Sequence, residues 1–413
     1  MARRGLPWLL AALATAPLVA YALRFPPGER LIDLSVYRGG GETVLHGGAL
    51  YSYVGTHGLL FTYPPLAALL AAPWAVAGAA TADVLWLTGT LALLADVSRR
   101  LVARALPSAP VWSAPLLATA AAWTEPGRDT LRFGQVGVLL LWLVTYDLTR
   151  TRRAGVGTGL AAAIKLTPAI VVPVLWLGGR RRAAVLAAAV GGGLTALAAA
   201  AAPGDSWRYW TSAVWDPGRV GAAGGNANPG NQALRGMLLR TGWPADLRAA
   251  LLVGALGLLL LVGLPGAARA LRAGDVVRAI AIAGCLSVAL APVSWIHAQV
   301  WLLPAAIAVL AGTWRPRRKV AALGLLLAVT LPRLPWLAAE QLARGGARPL
   351  WLLVQDAQGL VVVAAVLTLS WPALLRPARN RAPQVAPARQ VSGVGVPANL
   401  AASQSAAAAT NTR

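Results

Sequence analysis

The chain has 413 residues, of which 57% are hydrophobic and only 12% charged, and its formal net charge is +23. That little charge excludes an ordinary soluble domain, where charged residues make up about a quarter. The arginines stand in short clusters between apolar runs, as in membrane loops under the positive-inside rule, and no nucleic-acid-binding module is present.

Apolar runs recur along most of the chain and approach the roughly 20 residues needed to cross a bilayer core. They are apolar all round, as contact with lipid or packed helices requires. The first, 6–23, follows Arg3 and Arg4. It has no clear small-residue cleavage site, so it is expected to be a retained span with the N-terminus inside. Pro64 to Ala80 is short, opens on Pro64-Pro65 and contains Pro73. As a full span it would put Arg99, Arg100 and Arg104 outside; as a juxtamembrane helix in the first outer loop it keeps them inside. Ala154 to Gly179 has arginines at both ends, and a helical hairpin turning at Lys165-Leu166-Thr167-Pro168 keeps both clusters inside. Its short arms are tolerated when packed within protein.

The predicted spans are then 6–23, 81–98, 109–124, 134–149, 154–165, 168–178, 183–202, 246–268, 276–291, 295–312, 319–332 and 350–372. The expected fold is an all-α, polytopic bundle of about 12 spans with both termini cytoplasmic. Residues 1–375 form the membrane domain. Residues 376–413, rich in Ala, Pro, Ser, Gln and Asn, are expected to be a disordered cytoplasmic tail. Cys285 is the only cysteine, so neither a disulfide framework nor a CxxC metal site is possible.

The unusual polar residues collect in the outer segments. Asp33 follows the first span in Ile32-Asp33-Leu34-Ser35-Val36-Tyr37. A partly desolvated carboxylate there suits a general base acting on a hydroxyl; the plainer reading is a helix cap or a partner for Arg38. Lys165, flanked by apolar residues, either binds an anion such as a lipid phosphate or snorkels to the interface without a ligand. His297, at the turn between two spans, can donate to a phosphate or a sugar hydroxyl, or be only an interfacial residue. Arg128, Asp129, Arg132 and Gln135 occupy another outer segment. Asn226 to Gln232 is polar and turn-forming, with amides that suit sugar hydroxyls. No metal-ligand spacing and no phosphate loop of the GxGxxG or GxxxxGK[ST] type is present, which argues against a nucleotide donor.

Several segments follow one another along the chain: Asp33-Leu34-Ser35-Val36-Tyr37, Gly48-Ala49-Leu50-Tyr51, Phe61-Thr62-Tyr63-Pro64-Pro65-Leu66, Gly134-Gln135-Val136, Lys165-Leu166-Thr167-Pro168, Gly230-Asn231-Gln232 and Pro292-Val293-Ser294-Trp295-Ile296-His297. This set resembles glycosyltransferase family 87, the actinobacterial polyprenol-phosphate-mannose-dependent α-(1→2)-mannosyltransferases with a GT-C membrane fold. Two positions depart from that pattern: Ala298 stands where the family has a second histidine, and Gly137 where it has Asn. The resemblance implies an inverting transfer with no metal or cofactor, from a β-linked polyprenyl-phosphate mannose to a glycolipid or lipoglycan hydroxyl on the outer membrane face. It implies Asp33 as the base and Lys165, His297 and, more weakly, Arg132 around the leaving phosphate. Tyr37, Tyr63, Gln135, Asn231, Gln232 and Trp295 are the expected substrate-binding residues. The alternatives are the same chemistry with another prenyl-phosphate sugar such as arabinofuranose, or a lipid-linked sugar transporter or flippase. Related halves, common in transporters, are absent from the sequence.

Overall fold

The structure, a computed structural model, describes residues 2–150, 154–220 and 225–371. The predicted tail, 376–413, lies outside the described residues, as do Arg152 and Arg153. The described chain is helical, and its β structure is limited to the isolated bridges Val54–Leu60 and Asn231–Trp295.

Four helices are long and apolar enough to cross a bilayer. They are α1 (Ala2–Leu23), α4 (Ala79–Ala105), α10 (Arg181–Ala201) and α13 (Ala245–Arg272). Three bent pairs also qualify when each pair is taken as one span, giving up to 7 spans. These are α6 (Glu125–Phe133) with α7 (Gly137–Leu148), α16 (Pro316–Thr330) with α17 (Leu334–Ala343), and α18 (Arg348–Gln355) with α19 (Ala357–Leu369). The chain is therefore a helical membrane protein, but length and composition alone do not reach the expected twelve spans. The remaining apolar helices are shorter because Pro, Gly and polar turns interrupt them, and they lie within protein, where a broken ladder can be re-satisfied. Among them is α14 (Val276–Leu290), whose residues Val276 to Ala289 are all buried. It forms the centre of the main apolar core, between α13, α15 (Leu302–Ala311) and α19.

The segment expected to form a hairpin folds as two short helices, α8 (Val156–Ile164) and α9 (Val171–Leu177), both packed on α10. A Cβ on Gly155 would lie 2.4 Å from the Ala183 carbonyl, and one on Gly159 would lie 2.5 Å from that of Ala187. Only glycine lets the backbones approach so closely, the small-xxx-small device of membrane helices. It also sets α8 parallel to α10. The turn 178–180 folds α9 back antiparallel to α10, so α8 and α9 run in opposite directions with Lys165 near their shared tip. Asp147 ties down the base by accepting from the Gly155 and Thr158 amides and, at 2.7 Å, from the Thr158 hydroxyl. Arg180 donates to the Leu148 carbonyl at 3.2 Å at the same end.

Pro64-Pro65 starts α3 (Pro65–Val76), a short apolar helix packed on α2 (Ile32–Leu45). Gly39, Gly40 and Gly41 lie inside α2, although glycine there costs about 1 kcal/mol each relative to alanine. The packing explains them. A Cβ on Gly40 would meet the Phe61 ring at 2.5 Å, and one on Gly41 the Ala71 backbone at 2.8 Å.

Candidate active site

α2 begins at Leu31, whose φ of 45° is left-handed, and places Asp33 in the first turn. Such a conformation costs a non-glycine residue on the order of 1–3 kcal/mol and is held only by its surroundings. Here the surroundings are the turn after α6. Gly134 (φ +72°) is so close that a Cβ would lie 2.8 Å from Leu34 and 3.1 Å from Leu31. That turn delivers Gln135 to the start of α2.

The two plainer readings of Asp33 do not hold. It makes no cap, for α2 has no side-chain cap hydrogen bond. It also does not pair with Arg38, whose guanidinium donates instead to the carbonyls of Trp74 and Ala77 at 2.8 and 2.9 Å. The Asp33 carboxylate accepts from Gln135 and lies within electrostatic reach of Lys165. Burial pushes its pKa from 3.8 up to about 6, against both of those groups, which act to lower it.

Four further side chains form a directed chain to this carboxylate. Lys165 Nζ donates to the Tyr63 hydroxyl at 3.4 Å, and the Tyr63 and Tyr37 hydroxyls are 3.0 Å apart. Tyr37 and Tyr63 both donate toward Gln135 Oε1, at 3.0 and 3.4 Å. With Oε1 occupied by Tyr37, the amide NH₂ of Gln135 is what faces Asp33. Every donor thus points toward the carboxylate, and hydrogen bonds arranged head to tail polarise one another. Lys165 also lies 5.0 Å from the centre of the Tyr63 ring and has no ion-pair partner among the described residues. Its charge is therefore available to an anion.

His297 sits on the 3₁₀ turn Ile296–Trp301, buried, edge-on to Phe133 and within electrostatic reach of Lys165. Behind it lies Gly137, one of the departures from the family pattern. A Cβ there would stand 3.5 Å from the His297 carbonyl, an ordinary contact. Of the expected residues, Asp33, Tyr37, Tyr63, Gln135, Lys165 and His297 gather in one place.

The other four lie differently. Arg132 lies over the Phe25 ring at 3.5 Å and donates to the Glu29 carbonyl, beside this chain of hydrogen bonds rather than in it. Asn231 and Gln232 are buried and hold the backbone. Asn231 Oδ1 accepts from the Ser294 amide at 3.0 Å and its Nδ2 donates to the Asn226 carbonyl at 2.9 Å. Gln232 donates to the carbonyls of Pro229 and Gln355 and accepts from the Gly359 amide. Trp295 bridges to Asn231, so the Gly230-Asn231-Gln232 and Ser294-Trp295-Ile296-His297 segments cross, and the first supports the backbone that presents His297.

Sequence reasoning missed two polar clusters around the site. Arg30 pairs with Asp83 of α4 at 2.7 Å and holds the loop that leads to Leu31. Glu125, fully buried, accepts from Gln358 at 2.5 Å and faces Arg333 at 3.4 Å. Their partners are distant in sequence, and no local spacing marks them.

A half-buried carboxylate aligned by a donor chain, with an ammonium beside it that has no ion-pair partner among the described residues, fits group transfer from a lipid-linked anionic leaving group in a helical membrane protein. Residues 61–293 match the family model of glycosyltransferase family 87. The chain is 34% identical over 392 residues, 91% of this chain and 92% of the relative, to a protein of Mycolicibacterium smegmatis. That relative is described as a polyprenol-phosphate-mannose-dependent alpha-(1-2)-phosphatidylinositol pentamannoside mannosyltransferase. This chain is also 32% identical over 349 residues, 79% of this chain and 80% of the relative, to a polyprenol-phosphate-mannose-dependent alpha-(1-2)-phosphatidylinositol mannoside mannosyltransferase of Mycobacterium tuberculosis. The crystal structure of ArnT from Cupriavidus metallidurans bound to undecaprenyl phosphate is a distant likeness, with a TM-score of 0.40 and 16% identity over 87% of this chain and 77% of that one. The chain belongs to glycosyltransferase family 87. Asp33 and His297 lie outside the stretch that the family model matches, so their place beside Gln135 and Lys165 is a finding of the tertiary structure.

Proposed function

We propose that this chain transfers mannose from a polyprenyl-phosphate donor to a hydroxyl of a phosphatidylinositol mannoside, inverting the anomeric carbon, at the outer face of the membrane. The convergence of Asp33 and Lys165 through Gln135, Tyr37 and Tyr63 carries this reading. Asp33 takes the proton of the acceptor hydroxyl as that oxygen attacks the anomeric carbon. A base poised near pH 6 is largely ionised at neutral pH while keeping useful basicity. The bond from the anomeric carbon to the phosphate oxygen breaks, and the negative charge that develops there meets Lys165 and His297. Fixed donors aimed at developing charge are worth about 3–4 kcal/mol each in other enzymes. Arg132 remains a flanking cation, and Trp295 a wall for the sugar.

The topology belongs to the same proposal. Twelve crossings, with α3 lying along the outer surface and the hairpin returning at Lys165, keep the arginine clusters inside and gather Asp33, Lys165 and His297 toward the outer side. The relatives named above support the donor and the acceptor class.

The test uses the purified full chain with polyprenyl-phosphate mannose and a phosphatidylinositol mannoside acceptor, followed by mass spectrometry. A product heavier by one hexose is expected from the wild type. Transfer of arabinofuranose instead, or transbilayer movement of the donor without any transfer, would replace this reading by one of the two alternatives.

A further inference from the structure

Across the Asn228–Gln232 segment from His297 lies an open cleft of about 320 Å³. The segment acts as a partition. On one side it meets the backbone that presents His297: the Gln232 amide donates to the Ser294 carbonyl at 2.8 Å, and the Ile296 amide to the Gly230 carbonyl at 3.0 Å. On the other side Gln232 Nε2 donates to the backbone carbonyl of Gln355 at 2.9 Å, and Arg240 Nη1 to the carbonyls of Asn228 and Asn231, both at 2.9 Å. Arg240 ends α12 (Leu234–Arg240). The cleft lies between it and one face of α18, where Arg348, Leu352 and Gln355 follow at helical spacing, with Leu342 on the same wall.

The Gln355 side chain is the group that the fold leaves without a partner. Gln355 is only 4% exposed and makes no side-chain hydrogen bond among the described residues, yet its amide is not sealed in: it lines the cleft and keeps accessible surface there. Buried polar groups are paired with great regularity, so the partner of this amide comes from the cleft. Arg348 stands at the exposed rim. Its Nη2 donates to the carbonyls of Arg240 and Thr241 at 3.1 Å each, which fixes the guanidinium while Nε and Nη1 have no hydrogen bond among the described residues.

Arg240, by contrast, is fully engaged. Its Nε and Nη2 both donate to Asp356 Oδ1, at 2.9 and 2.6 Å, in a largely buried ion pair. With that charge neutralised, the cleft is not built for an anion, and Gln355 Oε1 would turn a lone pair toward a phosphate oxygen. Hydroxyls both donate and accept, so a neighbouring pair of them can meet both ends of the amide while another accepts from Arg348. Leu342 and Leu352 offer apolar walls to the C–H face of a ring. The ligand that combines these features is a sugar ring.

We propose that this cleft binds a non-reacting sugar of the acceptor's oligosaccharide, held by the Gln355 amide and Arg348. The assignment rests on the acceptor being a mannoside, as in the function proposed above. It gives the amide recognition of sugar to Gln355, while Asn231 and Gln232 hold the partition. It also makes the chain a reader of glycan length: an acceptor long enough to pass the partition gains these contacts, and a shorter one does not.

Two measurements on the full chain in detergent test this. The first needs no transfer: binding of soluble mannotetraose, followed by saturation-transfer NMR. Gln355→Leu should weaken it about fivefold, as expected for one net hydrogen bond. That substitution removes no side-chain hydrogen bond within the described residues, and Arg348→Met at the rim should act in the same direction. In the second, the ratio of kcat/KM for a phosphatidylinositol tetramannoside over a monomannoside should fall about fivefold in Gln355→Leu. Unchanged mannotetraose affinity in both variants overturns the proposal, and so does Gln355-dependent binding of inorganic phosphate in place of the sugar. Gln355-dependent binding of mannotetraose by a chain that transfers no hexose keeps the sugar subsite and removes the transferase reading. Transfer that falls equally for both acceptors removes the subsite and keeps the transferase.

Discussion

Replacing Asp33 by asparagine removes the proposed base while keeping an acceptor oxygen for Gln135. General-base catalysis contributes about 10²–10⁴-fold, so kcat should fall by that factor while donor KM changes little. The wild-type rate should fall below an apparent pKa near the value of about 6 that burial imposes on Asp33. Gln135→Leu supplies the stricter check. The Gln135 hydrogen bond lowers the Asp33 pKa, so its removal should move the acidic limb to higher pH. The same carboxylate also affects stability. Its folded-state pKa lies above the unfolded one, so its stabilising contribution is complete below pH 3.8 and is lost as pH rises through 6. A rise from 3.8 to about 6 corresponds to about 3 kcal/mol, so Asp33→Asn should be the more stable protein at pH 7.5 by up to that amount, with the difference gone at pH 3.5. Steady-state rates across pH 5–8 and denaturation in detergent at those two pH values measure both effects. Activity of Asp33→Asn within tenfold of the wild type would refute the base assignment. An acidic limb unmoved by Gln135→Leu would refute the role given to the donor chain.

Lys165→Met should slow transfer by roughly 10²–10³-fold and raise the Asp33-dependent limb in pH, because Lys165 both meets the leaving phosphate and lowers the Asp33 pKa; a change in donor KM alone would confine the lysine to binding. Gly159→Leu should collapse the hairpin, since even a Cβ there lies 2.5 Å from the Ala187 carbonyl; the measurement is loss of the folded fraction in thermal unfolding, and an unchanged midpoint would contradict the α8–α10 packing. Sidedness is tested in a Cys285→Ser background with single cysteines at Ser52 and Ser108: a membrane-impermeant maleimide applied to whole cells should label the first and spare the second. The reverse pattern would invert the proposed topology.

The membrane class was legible in composition, because a bilayer imposes long apolar stretches on any chain that crosses it by helices, and arginine asymmetry survives in the sequence as a count. The break at Lys165 was also legible, since Lys165-Leu166-Thr167-Pro168 interrupts the apolar run, and there α8 ends and α9 begins after a 3₁₀ turn. Asp33, Lys165 and His297 stood out as chemical groups in unfavourable surroundings. What they share did not. That Gln135 turns its NH₂ toward Asp33 depends on two tyrosine hydroxyls, brought together from α2 and the loop before α3. Asn231 and Gln232 read as sugar ligands because amides suit hydroxyls, yet their hydrogen bonds go to the Ser294–Trp295 backbone and to α19. The glycine run of α2 is unfavourable in a helix by itself, and only the ring of Phe61 and the backbone of α3 explain it. Local sequence carries hydrophobicity and charge, which the bilayer reads residue by residue. The direction of a hydrogen bond and the approach of two helices arise from segments distant in sequence, and only the folded chain sets them.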